Sequence, residues 1–358
     1  MKKALVLLLC TLLMVTCTLT ALAASDILDF SFAQNVGYFS EGTAVFKAQS
    51  GLCGYVNSEG QIAIAPQFVM AQPFSEGMAL VDNGVYYGYI DATGTMVIDY
   101  QYKDATNFSE GLAAVRLQDD TWAYIDKTGA VVISLAAYEF DSYSDPGAFN
   151  GGVAELSTRS YGTVYIDKTG AATGAPAASA MPITFEKLDF YYPTYQLYNN
   201  GAPAGIIEYD STYAGLYEEE IVPVQGADGL YVIDRDWLFD ASTNRILLRD
   251  MYGISTVCEE GRILVSNTNG NYFVDVNGRM QSPLVYGAYD FSCGYAVIQV
   301  DNGRYGAYTL ENGYYFITPN GDLASRRYEK ATPFADGLAI VRIDGVWHVM
   351  DSEFNLRN

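Results

Sequence analysis

The chain has very little histidine and cysteine, two residue types on which many metal centres and nucleophilic active sites depend. Its 358 residues include a single histidine, His348, and only five cysteines. A Ser-His-Asp or Cys-His active site could use only one histidine. Metal sites rich in histidine and cysteine are excluded, because the chain has too few of these residues. We therefore expect His348 to be structural, and we expect no catalytic residues, no metal site and no cofactor.

Cysteine is also too scarce for a disulfide framework. Two of the five cysteines lie in the first 24 residues, which leaves Cys53, Cys258 and Cys293 for the rest of the chain. We expect each of the three to be a small buried hydrophobic residue. A bridge between Cys258 and Cys293 is the alternative, because the two fall in neighbouring copies of an internal repeat.

Positive charge is scarce as well. Lysine and arginine total 20 against 42 aspartate and glutamate residues, which gives a formal net charge of −22. Such a surface repels phosphate backbones and anionic membranes, so we expect no nucleic-acid partner. The charge serves solubility. A cationic ligand, or divalent ions held at a cell wall, is the alternative explanation.

The apolar run at the N-terminus is too short to span a bilayer. Two lysines precede the run from Ala4 to Val15, a polar stretch interrupts it, and Ala21-Leu22-Ala23 offers a cleavage site. This is the pattern of a secretory signal peptide over residues 1–24 and not of an integral membrane protein. We expect a secreted protein, extracellular or at the cell surface. Lipid anchoring at Cys17 is the alternative, disfavoured by the threonine before it.

A short phrase recurs through the chain. Three copies read Phe-Ser-Glu-Gly-x-Ala and four are looser: Phe39–Ala44, Phe74–Ala79 and Phe108–Ala113, then Phe149–Ala154, Cys258–Leu264, Phe291–Ala296 and Phe334–Ala339. Over the best-preserved stretches, neighbouring copies start 33 to 43 residues apart. A repeat of this length is typical of stacked or radial β arrays.

One unit of the repeat predicts three short strands separated by turns. Met78–Val81, Tyr87–Asp91 and Thr95–Ile98 are apolar or aromatic stretches, and glycine-bearing segments separate them. The pattern favours an antiparallel meander. Two sets of residues are predicted to shape its turns and to need no ligand: the glycines Gly42, Gly77, Gly111 and Gly337, and the aspartates Asp91, Asp126 and Asp167.

These units resemble the WG-repeat family of bacterial proteins. The Trp-Gly position of that family holds Cys53-Gly54, Tyr87-Gly88, Trp122-Ala123, Tyr305-Gly306 and Trp347-His348. The resemblance is specific over Val36–Ser134 and Cys258–Asp351, and it fades in 171–257, where the repeats are degenerate. It implies a secreted or surface β-repeat protein, and it implies no shared reaction or catalytic residue.

We therefore predict one all-β repeat domain over residues 25–358. The expected architecture is a propeller-like closed array of seven to nine small blades, each an antiparallel meander, and an open β-solenoid is the alternative. Closure is suggested by the two ends, since Ile27–Ala33 resembles the third strand that the last unit lacks. An open array would leave that strand on an exposed edge.

The high tyrosine content is the basis of the functional prediction. The chain has 30 tyrosines against 17 phenylalanines, and tyrosine suits protein or sugar surfaces. The periodic tyrosines are predicted to pack between units with their hydroxyls at the edge, whereas non-repeat tyrosines are the candidate binding residues: Tyr191, Tyr192, Tyr195 and Tyr198. We expect an exported, non-enzymatic protein that binds a protein or cell-wall polysaccharide. A carbohydrate-active hydrolase using acidic residues is the alternative.

Overall fold

The computed structural model describes residues 33–140, 145–159, 162–173, 183–189, 194–208, 221–249, 251–301 and 303–357. Throughout these ranges the regular secondary structure consists of short antiparallel strands, and they contain no helix. The predicted all-β fold of tandem short meanders is therefore confirmed. The signal peptide and the strand predicted at Ile27–Phe32 lie outside the described residues.

The chain divides into two compact units. The first comprises residues 1–176 together with 345–358, and the second comprises residues 177–344. Both are built from separate sheets of two to four strands, in which strands adjacent in sequence are mostly adjacent in space.

The first unit contains four sheets whose strands follow the chain order. They are β1 (Asn35–Ser40), β2 (Thr43–Lys47), β3 (Cys53–Asn57) and β4 (Ile62–Phe68); β5 (Met70–Ala71), β6 (Met78–Asp82), β7 (Tyr87–Asp91) and β8 (Met96–Tyr102); β9 (Asp104–Ala105), β10 (Ala113–Arg116), β11 (Trp122–Ile125) and β12 (Val131–Ser134); and β13 (Val153–Thr158), β14 (Gly162–Asp167) and β15 (Ala172–Thr173).

The second unit repeats this organisation with less regular spacing. Its strands are β16 (Ile183–Asp189), β17 (Thr194–Asn199) and β18 (Ala202–Glu208); β19 (Ile221–Pro223), β20 (Leu230–Ile233), β21 (Trp237–Asp240) and β22 (Arg245–Leu248); β23 (Gly253–Glu259), β24 (Arg262–Asn267) and β25 (Gly270–Asp275); β26 (Gly287–Ala288), β27 (Ala296–Val300) and β30 (Gly313–Ile317); the hairpin β28 (Gly303–Tyr305) and β29 (Tyr308–Leu310); and the pair β31 (Lys330–Ala331) and β32 (Leu338–Ile343). The last strand, β33 (Val346–Asp351), belongs to the first unit.

The hydrophobic core is divided into clusters that lie between consecutive sheets. In one of them Tyr55 and Ile64 of the first sheet meet Val81 and Ile90 of the second, and all four are buried. A single sheet of this size cannot bury both of its faces, so each repeat depends on its neighbour for stability.

The periodic tyrosines connect neighbouring repeats. Tyr89 is fully buried, its ring lies 4.9 Å from that of Phe108 in the next repeat, and its hydroxyl donates to the carbonyl of Thr106 at 2.7 Å. Tyr55 and Tyr124 make the same two contacts in their own repeats. The predicted packing between units is confirmed. The hydroxyls, however, bond to main chain inside the core and do not lie at the edge, and burial raises the pKa of all three phenols.

The glycine of the Trp-Gly position is required by a close approach of main chain. A Cβ on Gly88 would lie 2.7 Å from the carbonyl oxygen of Ile98, because β7 and β8 shift register beside it. Ala123 holds the same position in the next repeat, where it pairs with Ser134 and the register shift follows only after Tyr124. Local strand register thus decides whether alanine is tolerated.

The Phe-Ser-Glu-Gly phrase forms a tight hairpin turn of two left-handed residues. Glu76 has φ +56° and Gly77 has φ +79°, and Ser75 and Met78 exchange main-chain hydrogen bonds of 2.9 and 3.1 Å. This is the type I′ pattern that suits a hairpin. Gly42, Gly111 and Gly337 also have positive φ, so the predicted conformational need for glycine is confirmed. We call this element the Glu-Gly turn.

Three of these turns in the described part of the first unit are each capped by a glutamate of the preceding repeat. Glu110 accepts hydrogen bonds from the main-chain N–H groups of Gly151 and Gly152, at 2.6 and 3.0 Å. Glu41 caps Glu76 and Gly77 in the same way, and Glu76 caps Gly111. The serines add a second link, since Ser40, Ser75 and Ser109 donate to the carbonyl of the next repeat's phenylalanine at 2.7–2.8 Å. We call these contacts the inter-repeat ladder.

Two lysines, each from the following repeat, contact glutamates of the inter-repeat ladder. The Lys168 ammonium donates to the Glu110 carbonyl and lies 3.0 Å from its carboxylate, and Lys127 makes the equivalent contacts with Glu76. The hydrogen bond from Lys168, together with the N–H groups of Gly152 and Gly151, holds the pKa of Glu110 below its ordinary value.

The cysteines differ in part from expectation. Cys53 and Cys258 are buried as predicted, but Cys293 is exposed, because it occupies the glutamate position of a Glu-Gly turn at φ +53°. All three thiols are free, so the alternative of a Cys258–Cys293 bridge is wrong.

We predict that Gly111→Val destabilises the protein by about 1–3 kcal/mol, since a β-branched residue is strained at positive φ. No heavy atom lies within 4 Å of a Cβ placed there, so the loss reports backbone strain and not a clash. Urea denaturation measures it. Gly111→Asn is the matched control, because asparagine tolerates the left-handed region and should lose less. Equal stability of the valine variant and the wild type would contradict the turn assignment.

Candidate ligand-binding cavity

The structure describes two of the four tyrosines predicted to bind a ligand, Tyr195 and Tyr198. Tyr195 is 4% exposed and packs against Phe185 with ring centroids 5.5 Å apart, so it serves the core and the prediction of a binding role is wrong for it. Tyr198 is half-buried, and its hydroxyl donates to Glu186 at 2.8 Å. This hydrogen bond raises the pKa of the Tyr198 phenol. Tyr191 and Tyr192 lie outside the described residues.

The periodic aspartates shape turns. The Asp126 carboxylate accepts from the N–H and hydroxyl of Thr128 at 2.9 and 2.6 Å, and from the N–H of Ala130 at 3.1 Å. Asp91 and Asp167 accept the equivalent three bonds. The threonine hydroxyl bond, followed by the main-chain N–H bonds, lowers the pKa of each carboxyl.

The histidine and the carboxylates of the described residues do not form a metal cluster. His348 lies half-buried on β33. Across the described ranges, no group of three or more histidine, cysteine, aspartate or glutamate side chains is arranged to hold a metal ion.

The structure shows a cavity that the sequence did not indicate. It lies within the second unit and has a volume of about 640 Å³. Three segments surround it: the β24–β25 turn, the segment before β26, and the stretch from the end of β27 into β28. The lining residues are Ser266, Asn267, Thr268, Asn269, Gly270, Asn271, Leu284, Val285, Tyr286, Val300, Asp301, Gly303 and Tyr305. We call it the 266–305 cavity.

The described lining of the 266–305 cavity is about half polar and half apolar, and it is nearly uncharged. Among the described residues that line it, Asp301 is the one carboxylate, and none is lysine, arginine or histidine. Three asparagines, a serine and a threonine supply neutral donors and acceptors. Tyr286 adds an aromatic ring that is 68% exposed. The cavity can therefore bind a polar, uncharged molecule by hydrogen bonds and ring contact.

Internal hydrogen bonds fix two of the surrounding segments to each other. Asn271 and Val285 exchange main-chain bonds of 2.9 and 2.8 Å. The Asn271 side-chain amide also donates to the carbonyl of Tyr286 at 2.8 Å, and its amide oxygen accepts from Ser266 at 2.5 Å. Asn271 therefore positions the cavity wall.

Other polar groups of the cavity are left for a ligand. The side chains of Thr268, Asn269 and Tyr286 make no hydrogen bond to any part of the chain that the structure describes. Thr268 and Asn269 are exposed, and the turn is shaped instead by Asn267, whose amide oxygen accepts from the Asn269 N–H at 2.8 Å. Sequence reasoning missed these residues because they lie outside the repeated phrases. The polar run from Asn267 to Asn271 was the available signal.

Comparison with protein families agrees with the strand and turn pattern. Residues 54–84, 87–122 and 308–347 match the family model described as WG containing repeat. The protein carries WG repeats. The predicted resemblance is confirmed, and all three matches fall in the ranges where the sequence predicted the repeat to be specific.

Comparisons over the whole chain find weaker similarity than the family model does. No curated protein matches it. Among solved structures, it is similar to BamB from Moraxella catarrhalis, at 16% identity and a TM-score of 0.37 over 74% of this chain and 93% of that one. It is similar to Sqt1 from Saccharomyces cerevisiae, at 11% identity and a TM-score of 0.39 over 90% and 96%. The WD40 β-propeller domain of Doa1 aligns at 12% identity and a TM-score of 0.30 over 89% and 92%. These TM-scores are too low to assign a shared fold.

The residues that the structure describes contain no helix that is long and apolar enough to cross a bilayer.

We predict that Asp126→Asn makes the protein less sensitive to acid. The ordinary pKa of Asp126 is 3.8 and the folded pKa is lower, so the carboxylate stabilises the fold above that value. The contribution is lost as the pH falls through the lowered folded pKa. Melting temperatures at pH 7 and about pH 3 should therefore differ less in the variant than in the wild type.

The chain supplies a reciprocal control for this prediction. Asn57 occupies the same turn position in the first repeat, and its amide oxygen accepts from the N–H groups of Glu59 and Gln61. Asn57→Asp should preserve the turn and add acid sensitivity. Identical pH dependence in both variants and the wild type would contradict the proposed role of the carboxylate.

Proposed function

We propose that this is an exported, non-enzymatic binding protein that presents the 266–305 cavity to a ligand outside the membrane. The observation that carries the proposal is the lining of that cavity, which offers neutral hydrogen-bonding groups and an exposed tyrosine. Such a lining suits recognition. It favours a polysaccharide, such as a cell-wall polymer, over a protein as the ligand.

Export is supported by the sequence. A charged start, an apolar run and an Ala-Leu-Ala site fit a cleaved leader over residues 1–24. The net charge of −22 fits a soluble protein that does not associate with nucleic acid. We therefore propose that the mature protein is extracellular or at the cell surface.

The rival function is a carbohydrate-active hydrolase. Such enzymes need two carboxyl groups beside the scissile bond, and the 266–305 cavity has one among its described lining residues. Elsewhere, burial raises the pKa of Asp145, and Asp104 raises it further while Arg116 opposes the shift. A general acid requires a carboxyl whose pKa is raised by its surroundings, so Asp145 with its neighbour Asp104 is the pair to test.

We further propose that the repeat array closes like a propeller of seven to nine small blades. The support comes from the two ends of the chain. The Trp347 indole N–H donates to the carbonyl of Ala33 at 2.9 Å, and both residues are buried. The last strand thus packs with the start of the described chain, as expected if the N-terminal segment completes the last repeat.

Binding and turnover can be measured on the secreted protein with a panel of purified wall polysaccharides. We expect retention of at least one polymer and no release of reducing ends, because the cavity supplies recognition groups and a single carboxylate. The Asp145→Asn variant is the control for hidden hydrolysis. Turnover that this variant abolishes would overturn the binding function, as would capture of proteins but of no polysaccharide.

The closure proposal predicts a specific effect of Trp347→Phe. Losing the indole N–H leaves the buried Ala33 carbonyl without its donor, which should cost about 1–3 kcal/mol beyond the change in packing. Trp122→Phe is the matched control, since Trp122 is equally buried and its indole makes no hydrogen bond within the described chain. Hydrogen exchange should quicken at both termini together in the first variant. Exchange that changes at the C-terminus alone would favour the open solenoid.

A further inference from the structure

We infer that the 266–305 cavity binds a neutral oligosaccharide segment, with the ring of Tyr286 as the surface on which a sugar lies. The inference rests on the proposed binding function and specifies its ligand and its site. Three properties of the described lining support it: its charge, its hydrogen-bonding groups and the position of its aromatic ring.

The charge of the lining argues against an anionic ligand. Asp301 is exposed at the cavity, and the described lining residues include no cation to offset it or to pair with a phosphate or carboxylate. The protein as a whole is strongly acidic. An anionic polymer would meet repulsion both on approach and in the cavity. A neutral sugar meets neither.

The hydrogen-bonding groups match sugar hydroxyls. Each hydroxyl donates and accepts, and so do the asparagine amide and the threonine hydroxyl. Thr268 and Asn269 present such groups on a short turn whose main chain is already fixed by Asn267. Because the turn is held in place before binding, little conformational entropy is lost when a ligand arrives.

The tyrosine is held in place by its main chain while its ring is free. Tyr286 donates its N–H to the carbonyl of Gln299 at 3.1 Å and accepts from the Asn271 amide at 2.8 Å. Its ring is 68% exposed, and Leu284 beside it is 39% exposed. An aromatic ring with a polar tip fits a ligand that has an apolar C–H face and a hydroxyl rim. A sugar ring has both.

The size of the cavity is compatible with this ligand. Its volume of about 640 Å³ lies within the ordinary range for small-molecule sites. Its lining, about half polar, distinguishes it from the mostly apolar pockets that take hydrophobic molecules. The geometry therefore points to a short segment of a polar, uncharged chain.

The test uses two exposed tyrosines of the same unit. Tyr286 lines the cavity, whereas Tyr252 is 71% exposed and is not among its lining residues. Binding of the full secreted protein is measured by calorimetry with neutral N-acetylglucosamine oligosaccharides, a neutral glucan and polygalacturonate. We expect Tyr286→Ala to weaken binding of a neutral saccharide about tenfold. Tyr252→Ala should leave it unchanged.

Two further measurements test the same site. Asn269→Ala should also weaken binding, because it removes a cavity-lining amide that makes no hydrogen bond within the described fold and is left for the ligand. Affinity for the neutral saccharide should change little between low and high salt, since no ion pair forms. Melting curves of all three variants should match the wild type, which separates lost contact from lost folding.

The outcomes distinguish the site from the function. If the wild type binds a polysaccharide and Tyr286→Ala binds it equally well, the site assignment is wrong while the binding function stands. Preference for polygalacturonate, or equal losses in both tyrosine variants, would also overturn the inference. If the wild type retains no polysaccharide, the inference and the proposed function fail together.

Discussion

The structure depends on one recurring contact, in which a glutamate carboxylate of one repeat accepts the main-chain N–H groups of the next repeat's Glu-Gly turn. Two consecutive left-handed residues point their N–H groups the same way, and such a turn needs an acceptor. At three turns in the described part of the first unit the acceptor is the glutamate of the preceding turn. The same residue thus forms its own turn and caps its neighbour's, which couples repeats that could not fold alone.

The second constraint is the ring contact between repeats, and it tolerates more sequence change than the ladder. In the second unit Phe273 and Phe316 replace the periodic tyrosine and still pack on the next repeat's phenylalanine, at 4.7 and 5.0 Å. These two phenylalanines lack the hydroxyl that bonds to main chain in the first unit, but their side chains remain buried. The glutamate position is less well preserved, since Gly151 and Cys293 occupy it. Apolar packing therefore maintains the fold where the polar ladder is interrupted.

The 266–305 cavity belongs to this less regular part of the chain. The repeat residues around it are occupied with the fold: the Tyr305 hydroxyl donates to the carbonyl of Gly321, and Val285 pairs with Asn271. The side chains left for a ligand come from the connecting turns. A rigid β scaffold that carries polar groups on its turns is a common way to build a binding site, and here it combines with a surface charge that repels anions.

The sequence by itself determined the pattern of strands and turns within a repeat. The Gly111 and Asp126 positions were predictable because a left-handed turn needs glycine and a short turn favours an aspartate acceptor, both of which are local requirements. Tertiary structure decided which side chains are buried and which segments come together, and a local sequence pattern does not contain this information. It placed Tyr195 in the core, because burial depends on which sheets pack together. It also joined Asn267–Asn271 to Tyr286 in one cavity, because contacts between separate segments are set by the packing of the sheets that carry them.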